Sequence, residues 1–267
     1  MIRTIFLLLA IATVILGSPI QDDISENLPG AFFENEGTAG RIVGGSNAVA
    51  GQFPYQVSLR TPANFHFCGG VIISNDWAIT AAHCIINRGQ TAINVVVGSH
   101  LLQSGGVVHQ SRSHVSHPDY DARWISNDVG AVQTATPIVF TANVQAIAMS
   151  SGHVGVVNAI VSGWGGTTVN GGPAPNNLQW LRTTTLTNAD CRARHTTANA
   201  EFVFDHKICT FTQAGEGICQ GDSGGPLVAN NQVIGTVSWN IPCARGRPDA
   251  FDRVSYFREW YLQNTGV

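Results

Sequence analysis

Short runs of apolar and β-branched residues recur along the chain from residue 42 onward, most of them bounded by turn-forming residues. Such runs at close spacing are typical of strands, because a helix needs a longer segment with apolar positions three or four residues apart. The pattern therefore predicts an all-β domain, built as barrels or as a sandwich. Examples of these runs are YQVSLR (55–60), GVIISNDWAIT (70–80), INVVVGS (93–99), VNAIVSGWG (157–165), PLVAN (226–230) and QVIGTVSW (232–239).

Helical patterns are few. The segment SYFREWYLQN near the end of the chain puts Phe257, Trp260 and Tyr261 on one helical face, and Ser255 can cap its first turn. We therefore expect a C-terminal helix over residues 255–264. A shorter helical piece is expected in NADCRAR.

A link around residues 135–155 divides the remaining chain into two halves of similar length. The total of 267 residues allows one large all-β domain or two packed half-domains. We expect the halves to cover roughly residues 42–145 and 146–254. The 29 glycines and the low charged fraction of 12% suit strands that are joined by tight turns.

The first 41 residues have a different composition. Residues 1–17 contain one arginine followed by a 12-residue, largely apolar run, which is too short to span a membrane and is typical of a secretory signal peptide. Residues 18–41 are acidic, have no strand or helix period, and end at Arg41 immediately before IVGG. We interpret them as a propeptide, so that residues 42–267 form the mature, secreted domain.

Charge excludes a nucleic-acid partner. Removing residues 1–41 takes two basic and five acidic residues from totals of 14 and 17, which leaves 12 of each. A formally neutral domain has no basic field for nucleic acid. No later segment is long and apolar enough for a membrane span.

Six cysteines in a secreted chain predict three disulfides. Sequence alone leaves many connectivities open, of which pairing between neighbours is the simplest. The neighbouring pairs are Cys68/Cys84, Cys191/Cys209 and Cys219/Cys243. A metal site is not expected: the chain has no C-x-x-C element, and the segment between Arg88 and Asp119 has no carboxylate for a calcium loop.

The segment GDSGGP (221–226) has the features of a serine nucleophile. Glycines on both sides of Ser223 allow a tight turn that leaves the hydroxyl uncovered. The same turn can aim the N–H groups of Gly221 and Ser223 at one point, as an oxyanion hole requires. A serine hydroxyl needs a neighbouring base to become a nucleophile.

His83 in AITAAHC is the strongest of nine candidate bases, because a strand-like run precedes it and a cysteine that can be tethered follows it. The third member should be a buried carboxylate that orients the imidazole. Asp128 in ISNDVGAV lies where a polar loop meets an apolar run, whereas Asp119 and Asp121 in HPDYD have the character of turn residues. From the residues alone Asp128 is favoured, with the other two left open.

The chain contains, in this order, the motifs RIVGG (41–45), TAAHC (80–84), NDVGAV (127–132), SGWG (162–165), GDSGGP (221–226) and SW (238–239). Together they resemble the motifs of the chymotrypsin/trypsin family of serine endopeptidases. The resemblance covers essentially all of residues 42–267, and the tail CTFTQAGEGICQGDSGGPLV is most similar to insect digestive chymotrypsins. It implies two six-stranded antiparallel β-barrels with the site in the cleft, a triad of His83, Asp128 and Ser223, and the three neighbouring disulfides.

The resemblance also implies activation by cleavage after Arg41, which frees the amino group of Ile42 to pair with Asp222. A carboxylate buried without a partner is costly, so the segment that carries Asp222 should not adopt its active form before cleavage. A trypsin-like protease is the expected activator.

By the same resemblance the primary specificity pocket has Gly217 at its base, six residues before the nucleophile, with Ser238, Asn240 and Asp249 around it. A glycine base favours large apolar or aromatic side chains. Two residues of this pocket depart from the family pattern and leave alternatives open. Asp249 is either hydrogen-bonded and turned away or admits a basic side chain. If Asn240 narrows the mouth of the pocket, it favours leucine or smaller side chains, as in an elastase-like enzyme. Elastase-like or mixed collagenolytic specificity is therefore the alternative.

The expected partners are protein and peptide substrates, the activating protease and protein protease inhibitors, with no cofactor, nucleic acid or membrane. A monomer secreted into the gut lumen is expected by family analogy alone. The rival from another class is a catalytically inactive homologue that serves as a binding module.

Overall fold

The computed structural model describes residues 42–241 and 243–267. The expected signal peptide (1–17) and propeptide (18–41), including Arg41, lie outside the described residues. No helix in the described ranges is long and apolar enough to cross a bilayer.

The first half of the chain forms a closed six-stranded barrel. After a two-residue strand, the next six pair antiparallel in the order β2-β3-β4-β7-β6-β5, and β5 returns to β2 to close the barrel. Valine, isoleucine and leucine side chains fill its interior, as the alternation along the strands requires. The strands are β1 (Ser46–Asn47), β2 (Gln56–Arg60), β3 (His66–Ile72), β4 (Trp77–Thr80), β5 (Asn94–Val97), β6 (Val107–Ser116) and β7 (Gly130–Thr134).

The second half forms another barrel of six antiparallel strands, in which β9, β10, β11, β14, β13 and β12 follow one another and β12 pairs again with β9. Two short strands extend it, since β1 pairs with β10 and β8 lies parallel to β13. The prediction of two six-stranded antiparallel barrels is thus confirmed. The strands are β8 (Ala148–Met149), β9 (Asn158–Gly163), β10 (Gln179–Leu186), β11 (Lys207–Phe211), β12 (Pro226–Ala229), β13 (Gln232–Trp239) and β14 (Asp249–Arg253).

One apolar cluster joins the two barrels. It combines Val71 and Ile79 of the first barrel with Val233 of the second and with Phe257 and Tyr261 near the C-terminus. Each fully buried side chain of this size contributes about 1.5–3 kcal/mol. This shared core fixes one barrel against the other.

Within residues 42–241 and 243–267 the helices are short, namely α1 (Ala82–Ile85), α2 (Asn188–Arg194), α3 (Thr197–Ala200) and α4 (Arg258–Thr265). The short helix predicted in NADCRAR is α2, and Thr187 caps it by accepting from the N–H of Asp190. The C-terminal helix begins three residues later than predicted, and Ser255 does not cap it. The reason is a turn before it, in which the N–H of Phe257 donates to the carbonyl of Val254.

Three disulfides join the cysteines in the neighbouring pairs that the sequence indicated, Cys68–Cys84, Cys191–Cys209 and Cys219–Cys243.

Candidate active site

Asp128 holds His83 through two hydrogen bonds. Its Oδ1 accepts from the backbone N–H of His83 at 2.9 Å, and its Oδ2 lies 2.8 Å from His83 Nδ1. His83 lies on α1, and the Cys68–Cys84 disulfide ties that helix to β3. Since Asp128 is fully buried and its carboxylate only accepts, it selects the imidazole tautomer with the proton on Nδ1. His83 Nε2 is then left as the proton acceptor.

The other two acidic residues left open by the sequence do not approach the imidazole. Asp121 is bonded to the exposed Arg123, and Asp119 is exposed. Their turn character explains this position, whereas Asp128 is buried at the beginning of an apolar run.

The ionisation of His83 reflects competing effects. Burial lowers its pKa, but the hydrogen bond to Asp128 and the charge of that carboxylate outweigh burial, so the pKa is raised above its usual value. The charges of Lys207 and Asp252 also act on it, Lys207 lowering the pKa and Asp252 raising it. His83 therefore stops acting as a base when the pH falls through its raised pKa, because the imidazole is then protonated.

The GDSGGP turn lies against β3 and against the end of β4, the strand that leads to His83. The N–H of Gly69 donates to the carbonyl of Ser223 at 2.8 Å. A Cβ on Gly224 would overlap the side chain of Thr80, so only glycine allows this approach. The segment that carries Ser223 thus meets the β4–α1 segment that carries His83. Within the described part of the chain the two side chains form no hydrogen bond, and such bonds commonly tighten only when substrate binds.

The N–H groups of Gly221 and Ser223 are held in fixed directions. The carbonyl of the residue before each accepts a hydrogen bond, from Gly166 at 2.8 Å and from Gly225 at 2.9 Å. Because the N–H and C=O of a trans peptide point in opposite directions, these bonds set where both N–H groups point. Gly221 has a φ of 101°, which only glycine adopts readily. Donors with fixed directions are one requirement of an oxyanion hole.

Asp222 is a fully buried carboxyl group. Its Oδ1 accepts from the N–H of Gly165 at 2.7 Å and its Oδ2 from the N–H of Cys219 at 2.9 Å. Burial raises its pKa to about 7, although both hydrogen bonds lower it. A Cβ on Gly163 or Gly165 would overlap the carboxyl group, so these glycines make room for it.

The beginning of the described chain packs onto the second barrel. Ile42 is fully buried in the apolar core of that barrel. The next residue, Val43, accepts from the N–H of Gly217 at 3.0 Å. Ile42 has a φ of 41°, a conformation that is strained for a β-branched residue.

Two of the residues expected around the pocket, Asp249 and Asn240, meet at Ile218, which the sequence reasoning missed. Asp249 Oδ2 accepts from the N–H of Ile218 at 2.8 Å, and Asn240 Nδ2 donates to its carbonyl at 2.9 Å. A Cβ on Gly217 would lie 2.7 Å from Asp249 Oδ2, so the carboxyl group occupies the space that a larger residue at 217 would need. Burial raises the pKa of Asp249 well above its usual range, and the charge of Asp222 raises it further. Asp249 therefore favours its neutral form.

Ser238, which was expected in the pocket, turns its hydroxyl towards the triad and donates to Asp128 Oδ2 at 2.8 Å. Behind it lie three charged or titratable residues that the sequence reasoning also missed, namely His206, Lys207 and Asp252. The one signal that could have found them is that Lys207 is the single lysine of the chain.

Two antiparallel β-barrels, with a histidine bonded to a buried aspartate beside the segment of a glycine-flanked serine, are the architecture of a serine endopeptidase. The trypsin family model matches residues 42–261. Chymotrypsin-2 of Vespa crabro is 40% identical over 225 residues, which are 84% of this chain and 99% of that protein. Trypsin Blo t 3 of Blomia tropicalis is 31% identical over 98% of both chains, and Trypsin-1 of Astacus astacus is 35% identical over 84% of this chain and 99% of its own. The chain belongs to the trypsin family.

Proposed function

We propose that this chain is a secreted endopeptidase, made as an inactive precursor, that cleaves proteins after large apolar or aromatic residues. The proposed triad is Ser223, His83 and Asp128. The observation that carries the proposal is the double hydrogen bond from His83 to the fully buried Asp128, because it fixes the tautomer that a general base needs.

In the proposed mechanism Ser223 Oγ attacks the scissile carbonyl while His83 Nε2 takes its proton. The N–H groups of Gly221 and Ser223 bind the oxyanion of the tetrahedral intermediate. His83 then gives the proton to the leaving amine, and a water molecule repeats the sequence to release the acyl group. Apart from the water molecule, residues of the chain supply all the catalytic groups that this mechanism uses.

Three observations support activation by cleavage after Arg41. Asp222 is buried with hydrogen bonds only to N–H groups, and its raised pKa reflects a carboxyl group that burial destabilises in its charged form. Ile42, which would carry the new amino group, is already packed in the same barrel. Its strained φ needs an intact preceding peptide bond, so cleavage would relieve the strain. A new ammonium group beside Asp222 would then stabilise the carboxylate.

Preference for an apolar residue before the cleaved bond is supported by the state of Asp249. Its Oδ2 already accepts from the N–H of Ile218, and burial raises the pKa of the carboxyl group, which disfavours a free negative charge in the pocket. Ile218 also belongs to the buried apolar cluster of Val237 and Phe251. Asn240, tied to the carbonyl of Ile218, is the feature that favours the elastase-like alternative, because it occupies room at the mouth.

Profiling on a peptide library tests this specificity. Wild-type enzyme should prefer phenylalanine, tyrosine, tryptophan or leucine, because burial of the apolar side chain drives binding. Asp249→Asn keeps the shape and an acceptor for Ile218, so the preference should change less than about threefold, whereas Asp249→Gly should increase cleavage after the largest side chains by about tenfold. A wild-type preference for arginine or lysine that Asp249→Asn abolishes would contradict the apolar pocket. A preference for alanine or valine would favour the elastase-like alternative.

The remaining expectations extend this proposal by family analogy. They are a digestive role in a gut lumen, a monomeric state, inhibition by protein protease inhibitors and activation by a trypsin-like protease. Autoactivation offers a simple check on the last of these, since an apolar pocket should leave the purified precursor inactive on storage.

A further inference from the structure

A chain of buried polar groups extends from Asp128 into the second barrel. Ser238 donates to Asp128 Oδ2 at 2.8 Å, and Lys207 Nζ donates to Ser238 Oγ at 3.0 Å. Lys207 Nζ also lies 2.7 Å from Asp252 Oδ2, and both residues of this ion pair are fully buried. A buried lysine is rare unless it is paired, so the position calls for an explanation.

The strands place this pair directly behind the triad. Lys207 on β11 and Asp252 on β14 are opposite partners in the antiparallel register, and β13, which carries Ser238, is the next strand. The second oxygen of Asp252 lies 3.0 Å from His206 Nδ1. Burial raises the pKa of Asp252, but the charge of Lys207 and the bond to His206 outweigh it, so the carboxylate stays ionised.

We propose that the Lys207–Asp252 pair positions the triad through Ser238. An ammonium group has donors only, so Ser238 must use a lone pair for Lys207 and its single proton for Asp128. Lys207 thereby directs the Ser238 hydroxyl at Asp128 Oδ2, which is the same oxygen that accepts from His83 Nδ1. The pair thus keeps the carboxylate in the orientation that the imidazole needs. Asp252 balances the ammonium charge, which would otherwise be buried alone.

The two charges also act on His83 in opposite directions. Lys207 lowers the pKa of His83, and Asp252 raises it by a smaller amount. Because both groups are fully buried, solvent screens them little. Removing the charge of Asp252 alone should therefore lower the pKa of His83, whereas removing both charges should raise it.

Other titratable groups face this network from several elements. Burial raises the pKa of Tyr120 to about 12 and that of Tyr261 well above its usual value, so neither ionises near neutral pH. His117, whose ring packs against Phe257, has its pKa lowered by burial. The groups of the network and its immediate surroundings are Tyr120, Asp128, His206, Lys207, Asp252 and Tyr261.

This inference rests on the proposed roles of His83, Asp128 and Ser223. It is tested on the activated enzyme with the double variant Lys207→Met/Asp252→Asn, which removes both charges and keeps similar volumes. We expect kcat to fall about tenfold with KM unchanged, as for other residues that orient a catalytic group. The acid limb of kcat/KM should move to higher pH in the double variant, while Asp252→Asn alone should move it to lower pH, because only the lowering charge of Lys207 then remains.

A double-mutant cycle with Ser238→Ala tests the route of the effect. If Lys207 acts through Ser238, the loss of kcat in Lys207→Met/Asp252→Asn should disappear in the Ser238→Ala background. Thermal unfolding is measured for every variant, and the double variant remains informative if Asp252→Asn does not fold.

A purely structural role would change the melting temperature but leave kcat, the acid limb and the cycle unaffected, and that result would overturn the inference. Labelling with an organophosphonate separates this outcome from failure of the proposed function. If the triad assignment is wrong, Ser223 of the wild-type enzyme is not labelled. If only the inference is wrong, wild type and variants are labelled alike.

Discussion

Replacing Ser223 by alanine is expected to lower kcat/KM for peptide hydrolysis by about 10⁴–10⁶-fold with the fold intact, because the attacking hydroxyl is removed while the oxyanion donors remain. The turn that carries Ser223 is held by its carbonyl, by Gly224 against Thr80 and by Gly225, none of which needs the hydroxyl. Hydrolysis of a chromogenic peptide by activated protein measures the loss. An organophosphonate should label wild type and leave Ser223→Ala unlabelled.

Ser151→Ala is the matched control, since Ser151 is exposed and lies outside the strands and helices. It should keep full activity and labelling. If activated wild-type protein fails to react with the organophosphonate, the enzyme mechanism proposed here does not operate and the binding-module alternative takes its place. Hydrolysis that persists in Ser223→Ala would assign the nucleophile to another residue.

The second large effect is expected for Arg41→Gln, which should leave the protein at less than about 1% of wild-type activity after treatment with trypsin, since the ammonium group that stabilises Asp222 never forms. Arg41→Lys is the control, because a trypsin-like activator still cleaves after lysine. Sequencing of the N-terminus alongside the activity assay shows whether Ile42 has become the first residue. Wild-type activity in uncleaved Arg41→Gln would contradict the activation switch.

Asp222→Asn distinguishes cleavage from its consequence. The amide can accept from only one of the two N–H groups that Asp222 now holds, Gly165 and Cys219, and it cannot pair with an ammonium group. Cleavage after Arg41 should proceed as in wild type, yet activity should stay low. Equal activity in cleaved Asp222→Asn and cleaved wild type would show that the ion pair is dispensable.

The apolar strands could be predicted from the sequence because their own side chains fill the barrels. QVIGTVSW, for example, forms β13 over its full length. β6 and β10, which are not among the example runs, have a weaker strand pattern for a physical reason. VVHQSRSHVS is largely polar and partly exposed, and QWLRTTTL buries glutamine and threonine as well as leucine, alternating them with half-buried or exposed residues. Pairing with neighbouring strands, rather than their own apolarity, makes these segments strands.

The candidate site likewise has residues that the sequence predicted and contacts that it could not predict. The residues of the proposed triad lie in short motifs, and the structure brings together the segments that carry them. The orientation of Asp249 could not be predicted, because its partner is a backbone N–H 31 residues away in sequence. The Lys207–Asp252 pair spans 45 residues and forms only when β11 and β14 are adjacent. Such contacts depend on the closed barrel and leave no local pattern.

The burial of Lys207 has a practical consequence for chemical modification. The chain contains no other lysine, so the folded domain from residue 42 onward presents no ε-amino group to an acylating reagent. After cleavage at Arg41, the one other amine is the new terminus at Ile42, whose side chain is buried as well. Amine-directed dyes, biotin reagents and resin couplings should therefore react with this domain only as it unfolds. The extent of acylation then becomes a direct measure of the unfolded fraction.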